Sequence, residues 1–244
     1  MNPTLPARAP RIRGARALFT GRGGGVSTGD HAQLNLALHV GDDEASVRRN
    51  RALLAEEIAA PVVFVDQVHS AEVHVLPPSG EVPVRTADAL VTDRRDVALA
   101  IMVADCLPVL LSDPIGGVVA VAHAGRKGLL DGVLQRTVQE MVALGTRAAD
   151  LTASIGPSIC GSCYEVPAEM RDEAAARLPQ TRSSTRWGTP SLDLRAGAVA
   201  VLEEAGVPRS ALHADHPCTL EDERFFSYRR TARTGRFAGV IRRC

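Results

Sequence analysis

The run from Val97 to Gly128, VALAIMVADCLPVLLSDPIGGVVAVAHAGRKG, constrains this chain more than any other stretch. Apolar runs without alternation, bounded by turn residues, are the pattern of strands covered on both faces. The run reads as two buried strands joined by a turn at Ser112-Asp113-Pro114 and Gly116-Gly117. The first strand ends on Asp105-Cys106 and the second on His123. A glycine-bounded basic loop, Ala124-Gly125-Arg126-Lys127-Gly128, follows before a helical pattern begins. Such a sheet delivers a thiol and an imidazole to neighbouring strand ends, beside two basic side chains.

At 244 residues the chain fits one large domain better than two small ones. Aromatic residues are only 3%, so the core is built from Val, Leu, Ile and Ala. Lys plus Arg equals Asp plus Glu at 28 each, which gives bulk charge no preference for nucleic acid or an anionic membrane surface. Met1–Ala17 is rich in Pro and Arg and lacks the apolar segment of a secretory signal. The longest apolar run, Val97–Leu111, is too short for a bilayer and is broken by Asp105 and Pro108. Five scattered cysteines argue against a disulfide framework. The expectation is a cytoplasmic protein without a nucleic-acid or membrane partner, monomer or homodimer, with a flexible arm over residues 1–14 and one catalytic domain over 15–244.

Ala17–Thr20 begins a strand that leads into the glycine-rich Gly21–Ser27. That loop fails the dinucleotide fingerprint, because Val26 stands where the third glycine belongs, and no Walker Lys-Ser/Thr follows. Asp42-Asp43 cap a helix reaching Ile58, with Val47, Leu54 and Ile58 on one face. A strand over Val62–Val65 delivers Asp66-Gln67-Val68-His69, and Val73–Leu76 and Ala87–Thr92 are further short strands. Leu130, Leu134, Val138, Met141 and Val142 mark one helix that stops at Gly145. Leu151–Ile155 is a strand, Ala168–Leu178 and Leu192–Ala205 are helices separated by a mobile polar loop (Thr181–Pro190), and Phe237–Ile241 is the last strand. This is an α/β mixture with mixed sheets.

A catalytic zinc takes three ligands from His, Cys or carboxylate and keeps a fourth position open. His69, Cys106 and His123 each end a hydrophobic strand, where strand ends can converge. On spacing alone, a His or Cys at such a place is more often a packed residue than a ligand. A metal-free Cys106–His123 hydrolase or deamidase fits the same pair. A multicopper oxidase needs many histidines, arranged largely as His-x-His pairs. The chain has seven histidines and no such pair, which disfavours a copper polyphenol oxidase. Cys160-x-x-Cys163 with His213-x-x-His216-x-Cys218 has the spacing of a second, structural zinc site, although loop residues shaping a pocket mouth are the plainer reading. Tyr164 and Phe226 read either as walls of that pocket or as core.

The ordered motifs FTGRGGGVS (Phe19–Ser27), LNL (Leu34–Leu36), HVGDD (His39–Asp43), QVH (Gln67–His69), ADCLPVLL (Ala104–Leu111), Ala122–Gly128, Ile155–Val166, Cys218-Thr219, FSYRR (Phe226–Arg230) and TGR (Thr234–Arg236) cover nearly the whole chain. In them the sequence resembles the laccase-domain family, the bacterial group also described as polyphenol oxidases and as a peptidoglycan editing factor. The resemblance implies a single-domain α/β (α+β) fold, a four-layer α/β/β/α sandwich with mixed sheets. It also implies a metal site on His69, Cys106 and His123, holding Zn2+ or Cu2+ in its place. The implied activities are phosphorolysis of adenosine, inosine and methylthioadenosine to free base and ribose 1-phosphate, and adenosine deamination. Editing of peptidoglycan precursors follows from the resemblance alone.

For phosphorolysis an anionic nucleophile must be held beside the C1′ carbon, and Arg22, Arg51 and Arg229 are candidates for that. Asn35 and Gln67 suit a ribose or base edge, and read equally as satisfied loop amides. Cys106 and Asp105 are the catalytic candidates, Asp105 either as an acid or base or as support for a ligand. One departure stands out. Where the family usually has Trp-Arg after its Ala-His-Ala-Gly run, this chain has Arg126-Lys127.

Overall fold

The computed structural model describes residues 7–8, 10 and 12–244. In chain order the elements are β1 (Ala7–Arg8), β2 (Ala15–Thr20), α1 (Glu44–Ile58), β3 (Val62–Val63), β4 (Val73–Val75), β5 (Ala89–Thr92), β6 (Ala98–Val103), β7 (Leu107–Ser112) and β8 (Val119–Ala124). They continue with α2 (Arg126–Leu130), α3 (Val133–Ala143), β9 (Thr152–Ile155), α4 (Ala168–Arg177), β10 (Arg182–Ser184), β11 (Pro190–Leu192), α5 (Leu194–Glu204), β12 (Leu212–His213) and β13 (Phe237–Arg243).

Two mixed sheets carry the fold. One has the order β1-β2-β13-β6-β3, the other β12-β9-β7-β8-β5-β4. Side chains alternate between faces along a strand, so each buried strand serves two layers at once. In β6, Leu99, Ile101 and Val103 point toward the second sheet, where they meet Leu110 of β7, Leu90 of β5 and Val119 and Val121 of β8. Its other residues, Ala98, Ala100 and Met102, pack with Leu54 and Ile58 of α1. The outer face of the second sheet, including Ala120, Ala122 and Ala124 of β8, packs on Leu134, Val138 and Met141 of α3 and on Ala198, Val201 and Leu202 of α5. The layers therefore run α1, first sheet, second sheet, remaining helices, which is the expected α/β/β/α sandwich. The sheets approach closely: a Cβ added to Gly156 would meet the Phe19 ring at 2.4 Å.

The α1 expectation holds in detail. The Asp43 side chain accepts from Ser46 N–H at 2.8 Å and caps the helix. Other expectations need correcting. The apolar run before Ser112 is two strands rather than one, because β6 and β7 belong to different sheets and the chain crosses between them at Ala104–Cys106. The helix expected through Leu130 to Val142 is broken by Gly132 at φ 93° into α2 and α3, and Val142 is exposed. The polar Thr181–Pro190 segment contains β10 and the turn into β11, which pair antiparallel from Arg182↔Leu192 to Ser184↔Pro190. Of the arm expected over residues 1–14, residues 1–6, 9 and 11 lie outside the described residues, while β1 pairs with Thr20 and Phe19 of β2.

Leu110, fully buried between the sheets, tests this packing. Leu110→Ala is expected to lower the unfolding free energy by about 3 kcal/mol, read from urea denaturation midpoints. A loss under about 1 kcal/mol would mean that the sheets do not share this core.

Candidate metal centre

His123 follows the phase of Val119 and Val121 along β8, so the strand carries its imidazole to the end of the layer between the sheets. Its Nδ1 lies 2.8 Å from Oδ1 of Asp88, just ahead of β5. Asp88 is completely buried. Its carboxylate also accepts from the backbone N–H of Val68 (3.2 Å), His69 (3.0 Å) and Ser70 (2.6 Å) and from the Ser70 hydroxyl (2.8 Å). One carboxylate thus orients one imidazole and folds the loop that carries the other. His69 sits in that loop with φ 59°, a left-handed conformation rare for a side chain of its size.

Cys106 arrives where the chain passes from β6 to β7. The crossing is made by Asp105 at φ 89°. Its carboxylate is bracketed: Oδ1 accepts from the Thr219 hydroxyl at 2.6 Å and Oδ2 from the Arg229 N–H at 2.7 Å. The Cys106 Sγ lies 3.9 Å from Nε2 of His69, and the His69 and His123 rings meet edge to face at 4.6 Å. One ligand atom from each of His69, Cys106 and His123 lies within 4.8 Å of the others. Gly125 closes the back of the cluster; a Cβ there would stand 2.9 Å from His69 Cδ2 and 3.0 Å from Cys106 Sγ.

The electrostatics are those of a coupled thiolate and imidazolium. Burial opposes ionisation of Cys106, but the neighbouring His123 charge and hydrogen bonds from both imidazoles bring it down to about 6. Burial likewise opposes the charged form of His123, while the Cys106 thiolate and Asp88 raise it to about 9. Asp88, despite its burial, is held at about 2 by hydrogen bonds from His123 and Ser70. Two imidazoles and one thiolate, with a carboxylate behind one imidazole, form a donor set suited to a transition metal.

The cluster faces a cavity of about 400 Å³ lined also by Gln67, Met102, Asp105 and Ile159. Tyr164, Tyr228, Arg229, Arg236 and His39 line it as well. Arg229 stacks over the Tyr164 ring at 5.2 Å and Arg236 over Tyr228 at 5.9 Å. The Gln67 amide is engaged twice, donating to the Met102 carbonyl and accepting from the Met102 N–H, both at 2.8 Å. It extends the β6 edge where β3 has ended.

Three expected ligand-contact residues do not line this cavity. Asn35 is completely buried and donates to Asp42 and to the Ala37 carbonyl. Arg22 donates to the Ala32 carbonyl at 2.9 Å, and Arg51 to the Leu36 carbonyl at 2.8 Å while stacking on Phe64. These are structural bonds, made because each loop carbonyl has no strand partner. Phe226 is core rather than wall. Asp88, Arg236, Tyr228 and His39 escaped the sequence reading. Asp88 had one available signal, as the only charged residue in the apolar stretch Ala87–Val91.

Residues 16–244 match the family described as multi-copper polyphenol oxidoreductase laccase. The chain belongs to that family. A purine nucleoside phosphorylase of Streptomyces griseus is 48% identical over 238 residues, 96% of each chain. One from Deinococcus radiodurans is 42% identical over 245 residues, 98% of this chain and 93% of that one. YlmD of Geobacillus stearothermophilus superposes with a TM-score of 0.88 at 35% identity, covering 96% of this chain and 94% of its own. A Neisseria meningitidis protein gives 0.86 at 36%, covering 98% and 99%. The mixed four-layer fold is thus the family's. No helix among the described residues is long and apolar enough to cross a membrane.

Asp88→Asn tests the buried carboxylate. Because its folded-state pKa lies below the unfolded value of 3.8, its contribution is complete above that value and is lost as pH falls through about 2. The substitution is expected to cost about 2 kcal/mol at neutral pH, with the gap to wild type narrowing toward pH ~3. Denaturant titrations at both pH values check this, and an unchanged gap would count against it.

Proposed function

We propose that this protein is a metal-dependent purine nucleoside phosphorylase, converting a purine nucleoside and phosphate to free base and ribose 1-phosphate. The observation that carries the reading is a pairing within one cavity. The same cavity is lined by the His69–Cys106–His123 donor cluster and by Arg229 and Arg236. The relatives named purine nucleoside phosphorylases, at 40–48% identity over nearly the full chain, support the same activity.

In phosphorolysis a phosphate oxygen bonds to C1′ as the bond from C1′ to the purine nitrogen breaks, and the electron pair leaves with the base, which takes up a proton. Arg229 and Arg236 hold the phosphate as a dianion and set its approach. Burial lowers the Arg236 pKa, yet an arginine stays charged at neutral pH, and a sparsely hydrated guanidinium grips an anion more strongly. Tyr164 and Tyr228 offer ring faces to the purine. Gln67 and His39 line the same cavity for the ribose hydroxyls or base edge. Asp105, bracketed by Thr219 and Arg229, acts as a positioning residue that fixes the Arg229 backbone.

Zinc or copper held by His69, Cys106 and His123 would supply Lewis-acid polarisation of a substrate oxygen or water. Asp88 keeps the His123 tautomer with Nε2 toward the site. The same donor set suits adenosine deamination, the second activity we propose for the cavity. A cytoplasmic setting accords with a reactive, unpaired Cys106.

One observation favours a second reading. Asp88, His123 and Cys106 form a carboxylate–imidazole–thiol chain, the arrangement of a metal-free cysteine hydrolase. Metal content separates the two. Phosphate-dependent base release from adenosine, inosine or methylthioadenosine, accompanied by stoichiometric metal and abolished in Cys106→Ala, is the expected result. Arg236→Gln is expected to raise the KM for phosphate about 10- to 100-fold with a smaller change in kcat, the size of a lost charge-assisted hydrogen bond. No nucleoside turnover, with amide hydrolysis by a metal-free protein, would overturn the proposal.

A further inference from the structure

A second group of ligand-type side chains lies behind the cavity wall. Cys160, Cys163, Cys218 and Glu221 each bring one ligand atom to within 4.8 Å of the others. They come from two tight turns. In the first, the N–H groups of Cys163 and Tyr164 donate to the Cys160 carbonyl at 3.0 and 2.9 Å. In the second, the N–H groups of Glu221 and Asp222 donate to the Cys218 carbonyl at 3.2 and 2.9 Å. The turns are joined by a parallel bridge between Ser158 and Cys218, and the Cys160 N–H donates to the Cys218 Sγ at 3.4 Å. A Cys-x-x-Cys turn facing a third thiol, with a backbone amide aimed at sulfur, is how proteins present thiolates to a metal.

The geometry points to a structural site for a thiophilic divalent cation of the zinc class, held by the thiolates of Cys160, Cys163 and Cys218 with Glu221 as fourth ligand. Each thiol releases its proton to solvent on binding. Three thiolates and a carboxylate exceed the charge of a divalent cation by two, and two guanidiniums stand close by. Arg186 donates to the Cys163 Sγ at 3.4 Å and pairs with Glu221. Arg195, from α5, donates to Ser158 and to the carbonyls of His216 and Pro217, fastening both turns. Without a cation the crowded thiols resist ionisation: burial and the neighbouring sulfurs push Cys163 up to about 12. His213 and His216, grouped with these cysteines by spacing, are not among the four; Glu221 takes their place.

The site would staple one wall of the cavity. Its first turn carries Ile159 and Tyr164, and its second carries Thr219, whose hydroxyl brackets Asp105. The competing use of the same sulfurs is a disulfide between Cys160 and either partner.

The test removes the other metal site. A His69→Ala/Cys106→Ala protein, purified under reducing conditions with zinc supplied, is expected to keep about one zinc per chain by elemental mass spectrometry. Loaded with cobalt instead, it should show thiolate-to-metal charge-transfer absorption, which adding Cys160→Ser and Cys218→Ser abolishes. If either variant fails to fold, native mass spectrometry of the wild type decides, with about two metal ions per chain expected. A double variant without zinc or thiolate absorption, a wild type holding one metal, or a Cys160 disulfide found by peptide mapping would overturn the assignment.

Discussion

Asp88 is the constraint on which the rest of the centre depends. Moving a carboxylate from water to a fully buried position is costly unless every lone pair finds a donor. Here three successive backbone amides, a hydroxyl and an imidazole supply them. The left-handed turn at His69 is the conformation that lets those three amides converge on a single carboxylate, so its strain is compensated by the bonds it permits. Loss of the carboxylate would release both imidazoles at once, one by its ring and one by its loop. The two histidines are therefore a single structural unit although 54 residues separate them.

The third ligand depends on a different device. A strand that continued straight from β6 would keep Cys106 within the first sheet. Asp105 at φ 89° instead turns the chain across to the second sheet, where β7 pairs with β8 in the register Leu107↔Ala124 and Pro108↔His123 and so leaves Cys106 beside the His123 end of β8. Its bracketed carboxylate ties that crossing to Thr219 and to the Arg229 backbone. The donor cluster and the Arg229 segment are thus joined through one residue, whose carboxylate is fixed by two short hydrogen bonds.

What the chain revealed as sequence follows from where local chemistry had no competitor. α1 was legible because Asp43 caps it and Val47, Leu54 and Ile58 repeat at helical spacing. The buried strands of the second sheet were legible as apolar runs with His123 near the end of one, whereas His69 and Cys106, expected at strand ends, lie in the loop after β3 and in the β6–β7 crossing. The β6–β7 crossing was not, since strands buried on both faces carry no alternation that would show a change of sheet. The β10–β11 hairpin was hidden for the opposite reason: Arg182 and Ser184 are exposed and polar, so only its second strand, through buried Leu192, carries an apolar signal. The arginine assignments divided by tertiary context. Arg22 and Arg51 close loop carbonyls away from the cavity, whereas Arg229, which donates to the Glu165 carbonyl at 2.8 Å, also lines it, and no spacing rule distinguishes such arginines.

The parts of the cavity lining also differ in how freely they can change. The donor cluster is tied to the sheets through His123 of β8, the β6–β7 crossing and buried Asp88, so a substitution there bears on the sheets themselves. Other lining comes from loops: Tyr164 after the Cys160 turn, and Tyr228, Arg229 and Arg236 on the approach to β13. Arg126 opens α2 close enough to Tyr164 to act on its phenol electrostatically, while Lys127 turns outward to Asp131. Substitution in the loop lining therefore meets less backbone constraint than substitution at Asp88 or the end of β8.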